Sequence, residues 1–234
     1  MTRFPTSSEE FLSGQIFLID KPLGWTSFDI VKKIKNLIRT KYKLKKIKVG
    51  HAGTLDPLAT GLLIVCTGKF TKRIPEIQGQ EKTYTGSITL GGTTPSYDLE
   101  TKIDNDFETT HITKQLITNT TAEFIGEIDQ KPPVFSALKK DGERLYLKAR
   151  RGEKVEVESR KVNVYSFDIT AIEMPKFYFQ IKCSKGTYIR SIAHDFGIAL
   201  KSGAHLSKLC RTAIGNHLLK DAFDISFFEK QLNQ

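Results

Sequence analysis

The chain has 234 residues, 39% of them hydrophobic, and carries a formal net charge of +10 from 36 Lys and Arg against 26 Asp and Glu. That length supports one large domain with a real core, and the absence of an apolar run of about 18 residues or of a signal-type start argues against a membrane span and predicts a cytoplasmic protein. Cys66, Cys183 and Cys210 are too few and too scattered for a disulfide framework or a zinc cluster, so they read as small buried hydrophobes and no metal is implied.

In chain order, a short strand is predicted at 15–19. A helix follows over 28–39, capped by Thr26 or Ser27, because Ile30, Val31, Ile34, Leu37 and Ile38 recur at helical spacing while the cations fall mostly elsewhere. Strands are predicted at 62–67 and 83–90, a helix at 113–122, a short strand at 155–158, and longer strands at 161–172 and 177–184. A helix over 189–201 is ended by Gly203, and a last helix over 224–232 starts at Asp224. Strands and helices do not alternate strictly, which points to an α+β fold rather than a doubly wound parallel sheet. No internal repeat or low-complexity tract is visible.

Charge is unevenly placed. Residues 32–48 hold nine Lys and Arg and no acid, whereas residues 96–129 hold eight acids against Lys102 and Lys114. The basic run feeds directly into GHAGTLDPLATG at 50–61, where Asp56 stands alone among glycines, His51 and Pro57. Glycine permits close approach of a substrate, and Pro57 restricts the backbone of Asp56, so one carboxylate is presented in a fixed direction. A structural turn capped by Asp56 is the plainer alternative, but it gives no reason for His51 or for the basic run. A phosphate-binding loop is disfavoured because neither the Walker A ending nor GxGxxG occurs. Placed before Asp56, the basic run reads as a rim that tracks phosphates.

Residues 131–154 form a segment of distinct composition, with prolines, Phe135, Leu145, Tyr146 and Leu147, and seven basic residues against three acids from 139 to 154. It reads as a mobile clamp within an insertion at about 128–158, with an unassigned surface hairpin as the alternative. His194-Asp195 has the composition of a catalytic dyad, but neighbouring helical residues point apart, so a capping or surface role is expected.

DKPLGWTS at 20–27, GHAGTLDPLATG, KTYTG at 82–86, KPPVFSALKKDGERLY at 131–146, CSKGTYIRSIAHDFG at 183–197 and GAHLSKLCRTAIG at 203–215 together resemble the bacterial TruB family of tRNA pseudouridine synthases. That family isomerises the TΨC-loop uridine, position 55 of tRNA. The resemblance implies a pseudouridine synthase fold, α+β, with a central mixed but mainly antiparallel sheet, flanking helices and a deep cleft. It implies no cofactor, the tRNA T arm as partner, and no obligatory protein partner. By the same resemblance Asp56 matches the catalytic aspartate, Arg190 the arginine paired with it, and Tyr84 the aromatic that stacks on the target uracil. His51 matches a residue filling space near the extruded nucleotide, Tyr188 lies beside Arg190, Asp98 helps hold that arginine, and Leu209 forms pocket wall. Lys21 in the DKPLG turn is expected to contact phosphate. Ala52 replaces a threonine common in relatives, and the chain is read as a single catalytic domain, 1–234, without the C-terminal PUA domain that many relatives carry.

Moving uracil from its N1 to its C5 attachment needs neither redox chemistry nor a metal, and one ionised carboxylate can act as nucleophile or base. A nearby arginine would favour the ionised form. The target must leave its stack at a cost of a few kcal/mol and enter an aromatic pocket, so Tyr84 and Tyr188 are the expected stacking faces. An RNA-binding module without catalysis and a partner-dependent relative are the competing readings.

Overall fold

The computed structural model describes residues 3–153 and 155–234. The elements are α1 (Ser8–Ser13), β1 (Ile16–Lys21), α2 (Ser27–Lys41), β2 (Val49–His51), β3 (Ala59–Thr67), α3 (Ile74–Gly79) and β4 (Lys82–Leu90). They continue with β5 (Gly92–Thr93), β6 (Asn105–Asp106), α4 (Lys114–Thr120), β7 (Gly126–Gln130), β8 (Lys139–Lys140), β9 (Glu143–Arg144) and α5 (Leu145–Arg150). The last are β10 (Arg160–Glu173), β11 (Lys176–Cys183), α6 (Ile189–Ala199), β12 (Ala204–Ile214), β13 (His217–Leu218) and α7 (Ile225–Asn233). Two compact units result: residues 1–84 with 210–234, and residues 85–209.

In the first unit β3 is the spine. It pairs antiparallel with β1 and β2, and the end of β12 pairs with β13. Leu62 to Cys66 are all fully buried, which is why LLIVC reads as a continuous apolar run rather than an alternating one. One face packs with Phe17, Ile19, Ile30, Ile34, Ile38 and Phe228, the other with Ala52, Ile77 and Ile214. Helix α2 starts at a capping box, Thr26 with Asp29, and buries Ile30, Ile34 and Ile38, each contributing roughly 1.5–3 kcal/mol.

In the second unit the strands run β12, β4, β11, β10, β7. β10 lies between β7 and β11, both antiparallel to it. An aromatic cluster of Phe124, Phe167, Phe177, Phe179 and Phe196 joins strands to α6. The mainly antiparallel sheet with helices is the architecture the resemblance implied, and the principal helices and strands fall within a few residues of their sequence-based limits.

Three differences stand out. Residues 155–158 form no strand: Val155 and Val157 are only half-buried, and the Val-Glu alternation is met by no strand pairing among the described residues. β12 is a strand that apolar patterning does not predict, because buried His205 and Arg211 interrupt it. α1 is likewise weakly signalled, since its capping box, Ser7 with Glu10, supports only six residues and one buried side chain, Phe11.

The segment read as a clamp is built as a hairpin, β8 paired with β9, followed by α5. Asp141 and Gly142 both have positive φ, 56° and 81°, the requirement of a tight two-residue hairpin turn. Its last position, Lys154, lies outside the described residues.

Candidate active site

Asp56 is half-buried in the loop between β2 and β3. The backbone on either side of it is tied to other segments. Leu55 donates its N–H to Ser27 Oγ at 2.8 Å, and the same hydroxyl donates to the Leu55 carbonyl at 3.1 Å. On the other side, the Gly24 N–H reaches the Pro57 carbonyl at 2.8 Å, and the Ala59 N–H closes a turn onto the Asp56 carbonyl at 3.0 Å. Gly53 has φ +128° and Gly61 has φ +99°, and a Cβ at Gly61 would strike the Arg211 backbone. The glycines of this loop therefore serve conformation and close packing.

Arg211, not singled out from sequence, underpins the loop. It is 1% exposed, and its guanidinium donates from Nε to Leu62 O at 2.8 Å, from Nη2 to Gly53 O at 3.0 Å and from Nη1 to Thr54 O at 3.4 Å. The signal available was a lone arginine inside the strand-like LCRTAIG, where an outward charge would break the pattern.

His51 ends β2, and burial lowers its pKa, helped by the Arg211 charge and opposed by a hydrogen bond with the Gly53 backbone. The ring is accordingly neutral near neutral pH. Lys21 departs from expectation. It is fully buried, and its Nζ donates to the carbonyls of Trp25 at 2.6 Å and Pro22 at 2.9 Å, so the ammonium faces the backbone rather than a phosphate. Burial brings its pKa down to about 8, with the Asp56 charge the largest influence in the opposite direction. Lys21 thus belongs to the electrostatics of Asp56. Tyr84 is also in this unit, inward on β4 and 9% exposed.

The second unit holds Asp98, Tyr188, Arg190 and Leu209. Arg190, on the first turn of α6, is 3% exposed and donates from Nη1 to Ser96 O at 3.1 Å and from Nη2 to Phe135 O at 2.9 Å. Its Nε lies 3.6 Å from Asp98 Oδ2, bringing together the two residues expected to pair. Tyr188 is the N-cap residue of that helix, beside Arg190, and Leu209 is half-buried on β12.

One turn along α6, the His194 ring stacks on Tyr97, with centroids 3.9 Å apart and planes 12° apart. Tyr97 has φ +64°, uncommon for a residue with a side chain. Asp195 sits half-buried, and burial raises its carboxyl to about 6. His194 and Asp195, for which the sequence predicts a capping or surface role, are both half-buried, with the His194 ring packed on Tyr97.

On the outer side of α2, Phe28, Lys32 and Arg39 are exposed and Lys35 half-exposed, four positions that form one helical stripe. Among the described residues only Lys33 of the nine cations at 32–48 forms an ion pair, with Glu229 of α7. In the hairpin segment, by contrast, Lys148, Arg150 and Arg151 are paired with Asp141, Glu100, Glu143 and Glu153. The described residues hold no His, Cys, Asp and Glu group able to bind a metal, and no helix long and apolar enough to cross a membrane.

Residues 39–189 match the model of the TruB family pseudouridylate synthase N-terminal domain. The chain is 60% identical over 225 residues to tRNA pseudouridine synthase B of Flavobacterium johnsoniae, covering 96% of this chain and 98% of that protein. It is 50% identical over 224 residues to tRNA pseudouridine synthase B of Phocaeicola vulgatus, covering 96% and 95%. Among solved structures, it is similar to one in a Cbf5-Nop10-Gar1 complex, with a TM-score of 0.71 and 28% identity, covering 95% of this chain and 55% of that one. With a family match over residues 39–189 and relatives aligned along nearly their whole length, the chain belongs to the TruB family of pseudouridylate synthases.

Proposed function

We propose that this protein converts a uridine of the tRNA T loop, position 55, to pseudouridine, with Asp56 as the catalytic carboxylate. The observation that carries this reading is the fixation of the Asp56 loop by Ser27, Gly24 and Arg211, which holds the backbone that presents this carboxylate in place before substrate arrives. The reaction breaks the bond from the sugar to N1, forms a bond from the same sugar carbon to C5, releases the C5 proton and leaves a proton on N1. Substrate and product have the same composition, so the step is balanced without a co-reactant. Asp56 supplies the charged oxygen that acts on the nucleotide.

The target leaves its stack to reach that oxygen, and Tyr84 and Tyr188 are the stacking surfaces proposed for it. Arg190, paired with Asp98, is the proposed electrostatic partner of the catalytic carboxylate. His51, neutral and largely enclosed, acts by shape, and Leu209 contributes pocket wall. The cations of α2 hold phosphates, and the isolated chain acts on tRNA without a protein partner.

The test is incubation of the pure protein with an unmodified tRNA transcript and mapping of pseudouridine. Wild type modifies the T loop, and Asp56→Asn loses about 10²–10⁴-fold or more in rate while still binding tRNA. Absence of product with wild type, or full activity in Asp56→Asn, overturns the reading; tRNA binding without product identifies a non-catalytic RNA-binding protein.

A further inference from the structure

Helix α6 carries Arg190 on its first turn, yet it has no local N-cap hydrogen bond: its N-cap residue is Tyr188, whose side chain accepts nothing from the backbone. In α1 and α2 the N-cap N–H is taken by an acidic side chain of the same helix, Glu10 and Asp29. In α6 that place is filled from 58 positions away. Tyr188 N–H donates to Gln130 Oε1 at 2.7 Å, and Gln130 Nε2 donates to the Tyr188 carbonyl at 3.0 Å. Gln130 is 1% exposed and is the last residue of β7.

Its direct cross-strand partner on β10, Arg160, holds the other end of the same residue. The Arg160 guanidinium lies over the Tyr188 ring at 4.8 Å from the centroid, and Arg160 also donates to the Gly186 carbonyl. Backbone and ring of Tyr188 are therefore gripped by one pair of neighbouring strand residues. The chain after Gln130 repeats the pattern: Ser191 Oγ donates to Lys131 O at 2.7 Å, and Arg190 Nη2 to Phe135 O. Residues 130–135 form a strap stitched to the first turn of α6, and the hairpin β8–β9 begins shortly after its end, at Lys139.

We propose that Gln130 is a positioning residue for the reaction: by fixing Tyr188 through both its backbone groups, it sets where the first turn of α6 presents Tyr188 and Arg190. A buried amide satisfying one donor and one acceptor on a single residue locks that residue's peptide planes, which a hydrophobic side chain of equal length does not do. Small misplacement of groups around a reacting centre costs rate more than affinity, because binding is spread over many contacts and chemistry over few. The inference rests on the isomerase reading above.

Gln130→Met keeps length and bulk and removes both hydrogen bonds. Its expected kcat is lower by about 10- to 100-fold, with KM and tRNA affinity within about twofold of wild type, and the Tyr188 amide exchanges faster with solvent in an NMR experiment. Wild-type kcat in folded Gln130→Met, or a loss of kcat no larger than its loss of folded fraction, overturns the proposal. Should that variant fail to fold, Ser191→Ala removes only the Lys131 stitch and decides the matter: a severalfold lower kcat at unchanged KM supports the strap, and an unchanged kcat overturns it. If wild type makes no pseudouridine, the isomerase reading fails, while Tyr188 exchange in Gln130→Met still shows whether the clasp exists.

Discussion

Arg211 and Gly53, 158 positions apart in the chain, meet through one hydrogen bond, Nη2 to carbonyl oxygen at 3.0 Å. The same guanidinium serves Leu62 and Thr54, so a single buried cation satisfies three carbonyls of the segment containing Asp56. Arg211→Met removes the donor that those three carbonyls share. Each unsatisfied buried group costs about 1–3 kcal/mol, so a loss of roughly 3 kcal/mol or more is expected from urea denaturation. Arg211→Lys, which offers a compact ammonium in place of a planar fork, recovers only part of it.

Lys21 is expected to give the reaction an alkaline limb. Its pKa falls to about 8 when folded, below the ordinary lysine value, because burial disfavours the charged form more than Asp56 favours it. At pH 7 the ammonium is charged; as pH rises through about 8 the folded protein loses a positive charge that acts on Asp56. The stability sign is opposite: burial penalises charged Lys21 below pH 8, and that penalty is relieved as pH rises from about 8 towards the unfolded value of 10.5. Wild-type kcat/KM is expected to fall above pH 8, and Lys21→Met to be slower at pH 7 and flatter between pH 7 and 9. An identical pH profile in the two proteins would remove Lys21 from the site.

Asp195 carries a stability cost. Burial raises its folded pKa to about 6 from 3.8, so the penalty for ionising it is fully present above about pH 6 and disappears as pH falls towards 3.8. With solvent screening allowed for, this amounts to about 1–2 kcal/mol at pH 7. Asp195→Asn is expected to melt higher than wild type at pH 7–8 and to lose that advantage near pH 4. Equal melting temperatures at pH 7 would contradict the assignment.

The exposed cations of α2 are expected to set the salt dependence of RNA binding. Lys32, Lys35 and Arg39 share one stripe with Phe28, whereas Lys33 is occupied by Glu229. Removing one phosphate-binding cation lowers the slope of log affinity against log salt by about 0.7–0.9, so the triple alanine variant is expected to lower it by roughly 2. Lys33→Ala serves as the control and changes it little. Equal slopes for wild type and the triple variant would place the phosphates elsewhere.

Apolar spacing made α2 and β3 legible in the sequence: Ile30, Ile34 and Ile38 fall on one helical face, and LLIVC is an unbroken run because both of its faces are covered. The TruB blocks likewise led to Asp98 and Arg190, which the fold brings to 3.6 Å. What could not be read was the set of polar side chains buried against distant backbone. Ser27 has the look of a helix cap, Gln130 of an edge residue in an acidic stretch and Lys21 of a surface cation, because the carbonyls and amides they meet come from segments whose placement depends on the finished fold. The same kind of residue hides β12, where inward-facing His205 and Arg211 occupy positions that a pattern of apolar side chains assigns to hydrophobes.

The Ser27 hydroxyl answers both backbone groups of Leu55, the residue directly before Asp56. Rotational freedom at that peptide is consequently surrendered once, during folding, and not again in each turnover. The thermal signature of catalysis should then be that of a stiff reagent: an activation entropy near zero for the chemical step, turning unfavourable when Ser27→Ala restores torsional slack to the carboxylate.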